Sequence, residues 1–287
     1  LNNLFLVTAT ATVLTGTLYP LLMQALHAES ITVGPPYFNA TIVPLLMPMI
    51  FLMGIGPFLA WKTADLRGVA QRLKMAAIIT IVIALAALSM KLPHPGMAIA
   101  GIGLSAWLVT ATLAEWAEHA GKRKISWARI RGMKAGQWSL TLAHIGLGVA
   151  ILGMTGTALL KKENMAVMKA GDKIPLGGYE LTLQNVLPAF GKNYNAMRAD
   201  IAVTGNGEKF SLHPERRIYP AAGKGTVEAG IRTSWHDDVY VALGNYDEKA
   251  DTWVIHAWSH PLVPFLWGGF ALMALGGFIG LWEKRRA

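Results

Sequence analysis

The sequence holds no cysteine. Disulfides, thiolate zinc sites and iron–sulfur clusters built from this chain are therefore excluded. Charge is also scarce. Asp, Glu, Lys and Arg make up 15% of the 287 residues, against about a quarter in ordinary soluble domains. Several signatures of chemistry are missing: there is no G-x-S-x-G elbow, no P-loop and no paired-carboxylate site with context around it. Internal repeats and low-complexity tracts are absent too. There is no initiating Met, and Leu1 stands almost at the start of an apolar run with no polar leader before it. The N-terminus is therefore expected to be a cut end.

What the chain does have is apolar residues, 53% of the total, and they are gathered rather than scattered. They form six runs: Leu4–Leu26, Ala40–Trp61, Met75–Leu92, Met97–Trp116, Trp138–Leu160 and Leu262–Trp282. Runs of about 20 residues are long enough for a helix to cross a ~30 Å hydrocarbon core. Trp61, Trp116, Trp138 and Trp282 sit at run ends, where amphipathic rings favour the headgroup layer. Pro44, Pro48 and Pro57 interrupt the second run and are expected to kink it. The fold class that follows is an integral membrane protein, an all-α bundle of six transmembrane helices with a small all-β domain inserted.

Lysine and arginine orient the spans. One set of connections holds thirteen basic residues against Asp65, Glu115, Glu118 and Glu283: Lys62, Arg67, Arg72 and Lys74, then six between Lys122 and Lys134, then Lys284, Arg285 and Arg286. The opposite short connections hold only Glu29 and Lys91, and the segment 160–259 balances twelve basic with twelve acidic residues. The whole formal charge of +9 thus belongs to one side, read as cytoplasmic. This is a membrane charge rule and not a nucleic-acid surface. Both termini are expected to be cytoplasmic in a bacterial inner membrane, and the long segment periplasmic. That segment reads as strands: "YELTLQNV", "ADIAVT", "KFSLHP", "TVEAGI", "DVYVALGNY" and "TWVIHAW" are short, β-branched or aromatic, and separated by Gly, Asn, Asp and Pro. "TGNGE" is a hairpin signal. The expected domains are 1–160 with five helices, 161–259 as a periplasmic β-domain, and 260–287 as the sixth helix with a basic tail.

One residue stands out chemically. His144 lies inside "SLTLAHIGLGVAILGM", about 10 Å into a helix that starts near Gln137. Thr141, Gly148 and Thr155 are expected to share its face, and Leu140, Leu142, Leu147 and Ile151 to cover others. A small face admits either a second helix backbone or a flat cofactor. Three readings stand side by side: a histidine hydrogen-bonded across a helix pair, an axial ligand of haem iron, and a proton relay. The other histidines are weaker signals. His27 and His94 lie in loops next to spans, His119 in the basic loop, and His213, His236 and His256 in the soluble segment; His260 is expected to begin the last span. "WHDD", Trp235–Asp238, is expected to be a solvated turn and not a metal site, since no second ligand cluster has matching spacing.

Several stretches carry a resemblance to the CcmF family, the large subunit of the cytochrome c haem lyase in multicomponent maturation systems. "LNNLFLVTATATVLTGTLYPL" resembles the family's helix ending in G-T-L-Y-P-L, and "ITVGPPYFN" its V-G-P-P-Y-F-N loop. "LAHIGLGVAILG" is similar to its late transmembrane helix with a histidine. "FSLHPERRIYPAAGKGTVEAGI" with "DVYVALG" is similar to its periplasmic signature, and "HPLVPFLWGGFALMALGGFIGLWEKRR" to its closing helix. A paralogue dedicated to nitrite reductase maturation shares much of this pattern. The likeness implies a role in attaching haem to the two cysteines of a C-x-x-C-H motif, and a haem b held in the membrane, with His144 at the motif position of one axial ligand. The family's tryptophan-rich W-G-x-x-W-x-W-D segment, its flanking histidines and the first transmembrane ligand are absent from this sequence. The chain therefore resembles the C-terminal half. The implied partners are the N-terminal half of the lyase, a periplasmic haem chaperone, apocytochrome c with its thiol-handling chaperone subunits, and membrane lipid; nucleic acid is not among them. Whether this chain is itself an enzyme stays open, because the catalytic segment is expected outside it. The rival readings are half of a membrane transporter, suggested by the proline-broken run, and a non-catalytic structural subunit.

Overall fold

The computed structural model describes residues 2–27, 32–59, 65–121, 125–221 and 223–284. It contains six helices long and apolar enough to cross a membrane: α1 (Asn2–Ala25), α2 (Pro35–Ile55), α3 (Leu66–Ser89), α4 (Pro95–Gly121), α6 (Ala135–Leu160) and α7 (Val263–Lys284), with a short α5 (Trp127–Arg131) before α6. The chain is a multi-pass membrane protein. Its elements fall into two compact units. One is helical, and the other carries all the strands with residues 91–98 and the adjoining ends of α6 and α7. Trp61, Lys62, Glu29, Lys122, Arg123, Lys124, Arg285 and Arg286, used above for topology, lie outside the described residues.

The helices extend past the apolar runs wherever a polar first turn is capped. α3 begins nine residues before Met75, because the Asp65 side chain accepts from the Gly68 backbone N–H at 3.0 Å. α2 opens on Pro35 and Pro36, whose missing N–H groups are no loss in a first turn. It continues through Pro44 and Pro48 as one helix, and Pro57 lies where it gives way to a 3-10 turn, Gly56–Phe58. Threonine hydroxyls are disposed of locally: Thr10, Thr12, Thr17, Thr41, Thr112 and Thr155 each donate to the carbonyl four residues back. His119 closes α4 and is not in a loop.

The β-unit is a pair of antiparallel sheets. One runs in the order β1 (Lys162–Met168), β10 (Thr252–Pro261), β9 (Asp237–Asp247), β8 (Gly230–Thr233). The other runs β2 (Lys173–Leu176), β3 (Tyr179–Phe190), β4 (Asn195–Gly205), β6 (Glu215–Tyr219), β7 (Lys224–Glu228), with β5 (Glu208–Leu212) also on β4. Alternation does the sorting. Along β9, Val239, Val241 and Leu243 point inward, and they meet Leu181, Leu183, Ile201, Val203 and Ile255 in one core. The "TGNGE" hairpin forms with Asn206 and Gly207 both at positive φ, 47° and 80°, as a tight two-residue turn requires. "TVEAGI" is not one strand. It divides into β7 and β8, which belong to different sheets, and a Cβ on Gly230 at the crossing would be tight against Leu212 and Pro214, at 3.1 and 3.2 Å. His260 closes β10 and does not begin a helix; Leu262, at φ 64°, makes the turn into α7.

Candidate functional site

Two helices fix α6 around His144. On one side α4 approaches at Gly148, where a Cβ would stand 2.6 Å from the Val109 side chain. Ser105 on α4 donates its hydroxyl to the Gly148 carbonyl at 2.8 Å. On another side α7 approaches at Gly276, where a Cβ would stand 2.7 Å from the Ser139 carbonyl. Small residues thus serve close backbone contact. Gly148 was expected to share the face of His144 and leave room for a flat group. Instead that space is taken by α4.

His144 faces the side left over. It lines an open cleft of about 470 Å3 with Leu140 one turn earlier and with Met49, Leu52, Met53 and Pro57 from the end of α2. Leu140 was expected on another face, but a residue four positions back is only about 40° round the helix, and it lines the same wall. Asn2 is the other polar residue at the cleft. The α2 wall is held in place by α4: the Trp107 indole N–H donates to the Phe51 carbonyl at 2.9 Å, its ring stacks on Phe51 at 5.1 Å, and Gly54 lies flush against it. Among the described residues no hydrogen-bond or ion-pair partner of His144 exists. The helix-pairing reading of this histidine therefore lacks its partner.

An imidazole in an apolar cleft, with neither ring nitrogen bonded among the described residues, is a donor that would suit haem iron. The other histidine on a long apolar helix, His119, is already engaged. Its Nδ1 is 3.0 Å from the Gln137 amide nitrogen and its Nε2 is 3.5 Å from Glu115. This Glu115–His119–Gln137 group at the end of α4 was not visible in the sequence, because its members come from two helices. Among the described residues no group of three or more His, Asp or Glu is placed to hold a metal ion.

In the β-unit two histidines are paired, while the buried His260 Nδ1 has no hydrogen-bond partner among the described residues. His213 Nδ1 is 2.8 Å from Asp200, and His256 Nε2 is 2.6 Å from Glu163. Hydrogen bonds from Lys161 and His256 hold the Glu163 carboxyl down to about 2. Burial lowers the pKa of His260. "WHDD" is only partly the solvated turn expected. Trp235 is exposed, but Asp237 is buried and accepts from the Tyr179 hydroxyl at 3.0 Å and the Ser234 hydroxyl at 2.6 Å. At the other end of β9 an open groove of about 620 Å3 is lined by Phe190, Met197, Ile218, Tyr246 and Trp253, with Arg216 at its side.

Comparisons with known proteins bear on the fold and the family likeness. Residues 159–261 match the family model described as the CcmF C-terminal beta-sandwich. Over 290 residues the chain is 37% identical to the cytochrome c-type biogenesis protein CycK of Rhizobium meliloti, covering 99% of this chain and 43% of that protein. It is 33% identical over 293 residues to the cytochrome c-type biogenesis protein CcmF of Escherichia coli, again 43% of that protein. It is 28% identical to the cytochrome c-type biogenesis protein NrfE of Haemophilus influenzae over 294 residues, 44% of its length. A solved structure titled cytochrome c heme lyase CcmF shares the fold, with a TM-score of 0.75 at 22% identity, over 98% of this chain and 44% of that one. The chain thus spans less than half the length of the curated relatives it matches.

Proposed function

From the premise that this chain is a CcmF-type protein matching the C-terminal part of that family, we propose that it is the C-terminal part of a haem lyase in cytochrome c biogenesis. In this reading His144 supplies one axial ligand to a haem b in the membrane. The observation that carries it is an imidazole without a partner among the described residues, in the apolar cleft between α2 and α6. The haem, when bound, would supply an electron-transfer centre in the membrane. The residues of this chain do the rest. His144 offers a ring nitrogen lone pair. Leu140, Leu52 and Met53 give the cleft apolar walls. Ser105 and Gly148 lock the helix that carries the ligand. A further ligand would come from a helix outside this chain.

The groove lined by Phe190, Ile218 and Trp253 is a candidate surface for docking the haem chaperone or apocytochrome c, being apolar, open and at the end of the β-sandwich away from α7. The charge split of the short connections supports cytoplasmic termini and a periplasmic β-domain. A reporter fused at Lys249 should read periplasm, and a cytoplasmic signal there would reverse the topology. The function is tested by co-expression. In cells lacking the whole lyase, this chain alone should leave c-type cytochromes without covalent haem, and adding the N-terminal half should restore them. With His144→Ala in place, maturation should fall sharply while both parts still assemble. Maturation by this chain alone would show that the chemistry had been misplaced.

A further inference from the structure

We propose that the β8–β9 turn, Ser234–Asp237, is seated in the headgroup layer of the bilayer, with Trp235 as its anchor in the lipid. The depth of the turn is set by a main-chain bond to the residue that leads into a transmembrane helix. The Leu262 N–H donates to the His236 carbonyl at 2.8 Å, and Leu262 is the residue immediately before α7. The Leu262 side chain fills the space over Gly156 of α6, and the neighbouring Pro261 carbonyl accepts from the Thr157 hydroxyl at 3.1 Å. The turn therefore lies level with Gly156 and Thr157, roughly 5 Å short of the end of α6 at Leu160. The stretch from Thr157 to Leu160 is apolar except for one hydroxyl, and the first charges, Lys161 and Lys162, come after it. A turn held at that height is at the boundary between hydrocarbon and headgroups.

Trp235 suits that boundary. It is 78% exposed, and its ring meets the ring of His236 edge-on at 4.9 Å. An indole left in water forgoes a large apolar contact, whereas the headgroup layer accepts both its ring and its N–H. The residue is presented from a rigid mount. Ser234 and Tyr179 both bond the buried Asp237, so the turn does not swing free. The exposed Lys162 at the same end of the sandwich would meet lipid phosphate.

The absence of cysteine makes the test direct. The full chain carrying Trp235→Cys, labelled with an environment-sensitive fluorophore, is reconstituted into phosphatidylcholine–phosphatidylglycerol vesicles. A second variant, Lys249→Cys, places the same probe on the β9–β10 turn, ten or more residues along β9 and about 33 Å away by strand rise. The expected result is a blue-shifted emission at position 235 that is quenched by lipids spin-labelled near the headgroup and protected from aqueous iodide, with the reverse at position 249. Thr233→Cys, on an exposed position beside the turn, repeats the measurement with Trp235 intact and should be quenched by the same lipids. Equal iodide access at 235 and 249, without lipid quenching, would overturn the proposal. Protection from iodide without lipid quenching would overturn it as well, and would assign Trp235 to a protein surface.

Discussion

The helical unit and the β-sandwich both satisfy their backbone polar groups internally, but their side chains are sorted by different rules. In the sandwich, burial follows alternation: Val239, Val241 and Leu243 lie inward, and Tyr240 and Ala242 between them are only partly buried. Apolarity there marks the core. In the helices apolarity marks nothing of the kind, because Leu4, Leu14, Val82, Leu85 and Phe278 are all exposed on the protein and would be covered by lipid. Contacts between helices are marked instead by residues that are small or polar: Gly148 with Ser105, Gly54 with Trp107, Gly276 with Ser139. A histidine in such a helix that joins no such contact is the exception in its surroundings, and His144 is that exception.

The contrast is sharpest for a single leucine. Leu243→Ala removes a side chain with no exposed surface from the sandwich core and should lower the stability of that unit by about 2–5 kcal/mol. Leu85→Ala, on a lipid-facing position of α3, should cost less than about 1 kcal/mol, since lipid tails are as apolar as leucine. Denaturant or thermal unfolding in detergent micelles measures both, and equal losses would erase the distinction. A smaller effect, of the opposite chemical kind, is expected in the bundle. Gly148→Leu inserts a side chain where Val109 already stands and should cost about 1–3 kcal/mol through overpacking. Ordinary stability in that variant would mean that α4 does not press on α6 there.

The third expectation concerns acid and is confined to the sandwich. Burial disfavours the charged form of His260 in the fold, so the unfolded chain binds the proton more readily. The stability His260 contributes is present above its ordinary value of 6.5 and is lost as pH falls below it. The Glu163 carboxyl, held at about 2 instead of 4.5, contributes stability that is present above 4.5 and lost between there and 2. Thermal scans of the protein should therefore show the sandwich transition falling in two stages on acidification. Glu163→Gln should remove the lower stage and leave the upper.

How much of this was readable in the sequence differed between the units for the same reason. Run length alone announced the six long helices, since a span must be apolar along its whole length; their ends were not readable, because caps such as Asp65 and polar last turns such as that of His119 carry no hydropathy. Strands with clear alternation were readable, among them β9 and β10. β6, "ERRIY", was not, since its charged side chains pair with one another and with the neighbouring ring of Tyr194 and leave no apolar period. β1 and β2 were not read either; β2 does alternate, with Ile174 and Leu176 buried, but over only four residues. His144 was visible as a residue, but its surroundings were not. The cleft is built from residues 49–59 and 140–144, far apart in the chain, and the residues thought to open it, Gly148 above all, are occupied by α4.

The most direct measurement is the optical spectrum of this chain purified together with the N-terminal half of the lyase, recorded for the native sequence and for His144→Ala. His144 borders a cleft and not a tight helix contact, so the substitution removes a ligand with little loss of packing. The expected result is a low-spin haem b spectrum on reduction for the native complex, and a high-spin or haem-free spectrum for the variant with the two parts still copurifying. An unchanged low-spin spectrum from His144→Ala would show that the iron is held by another residue and that His144 has no part in it.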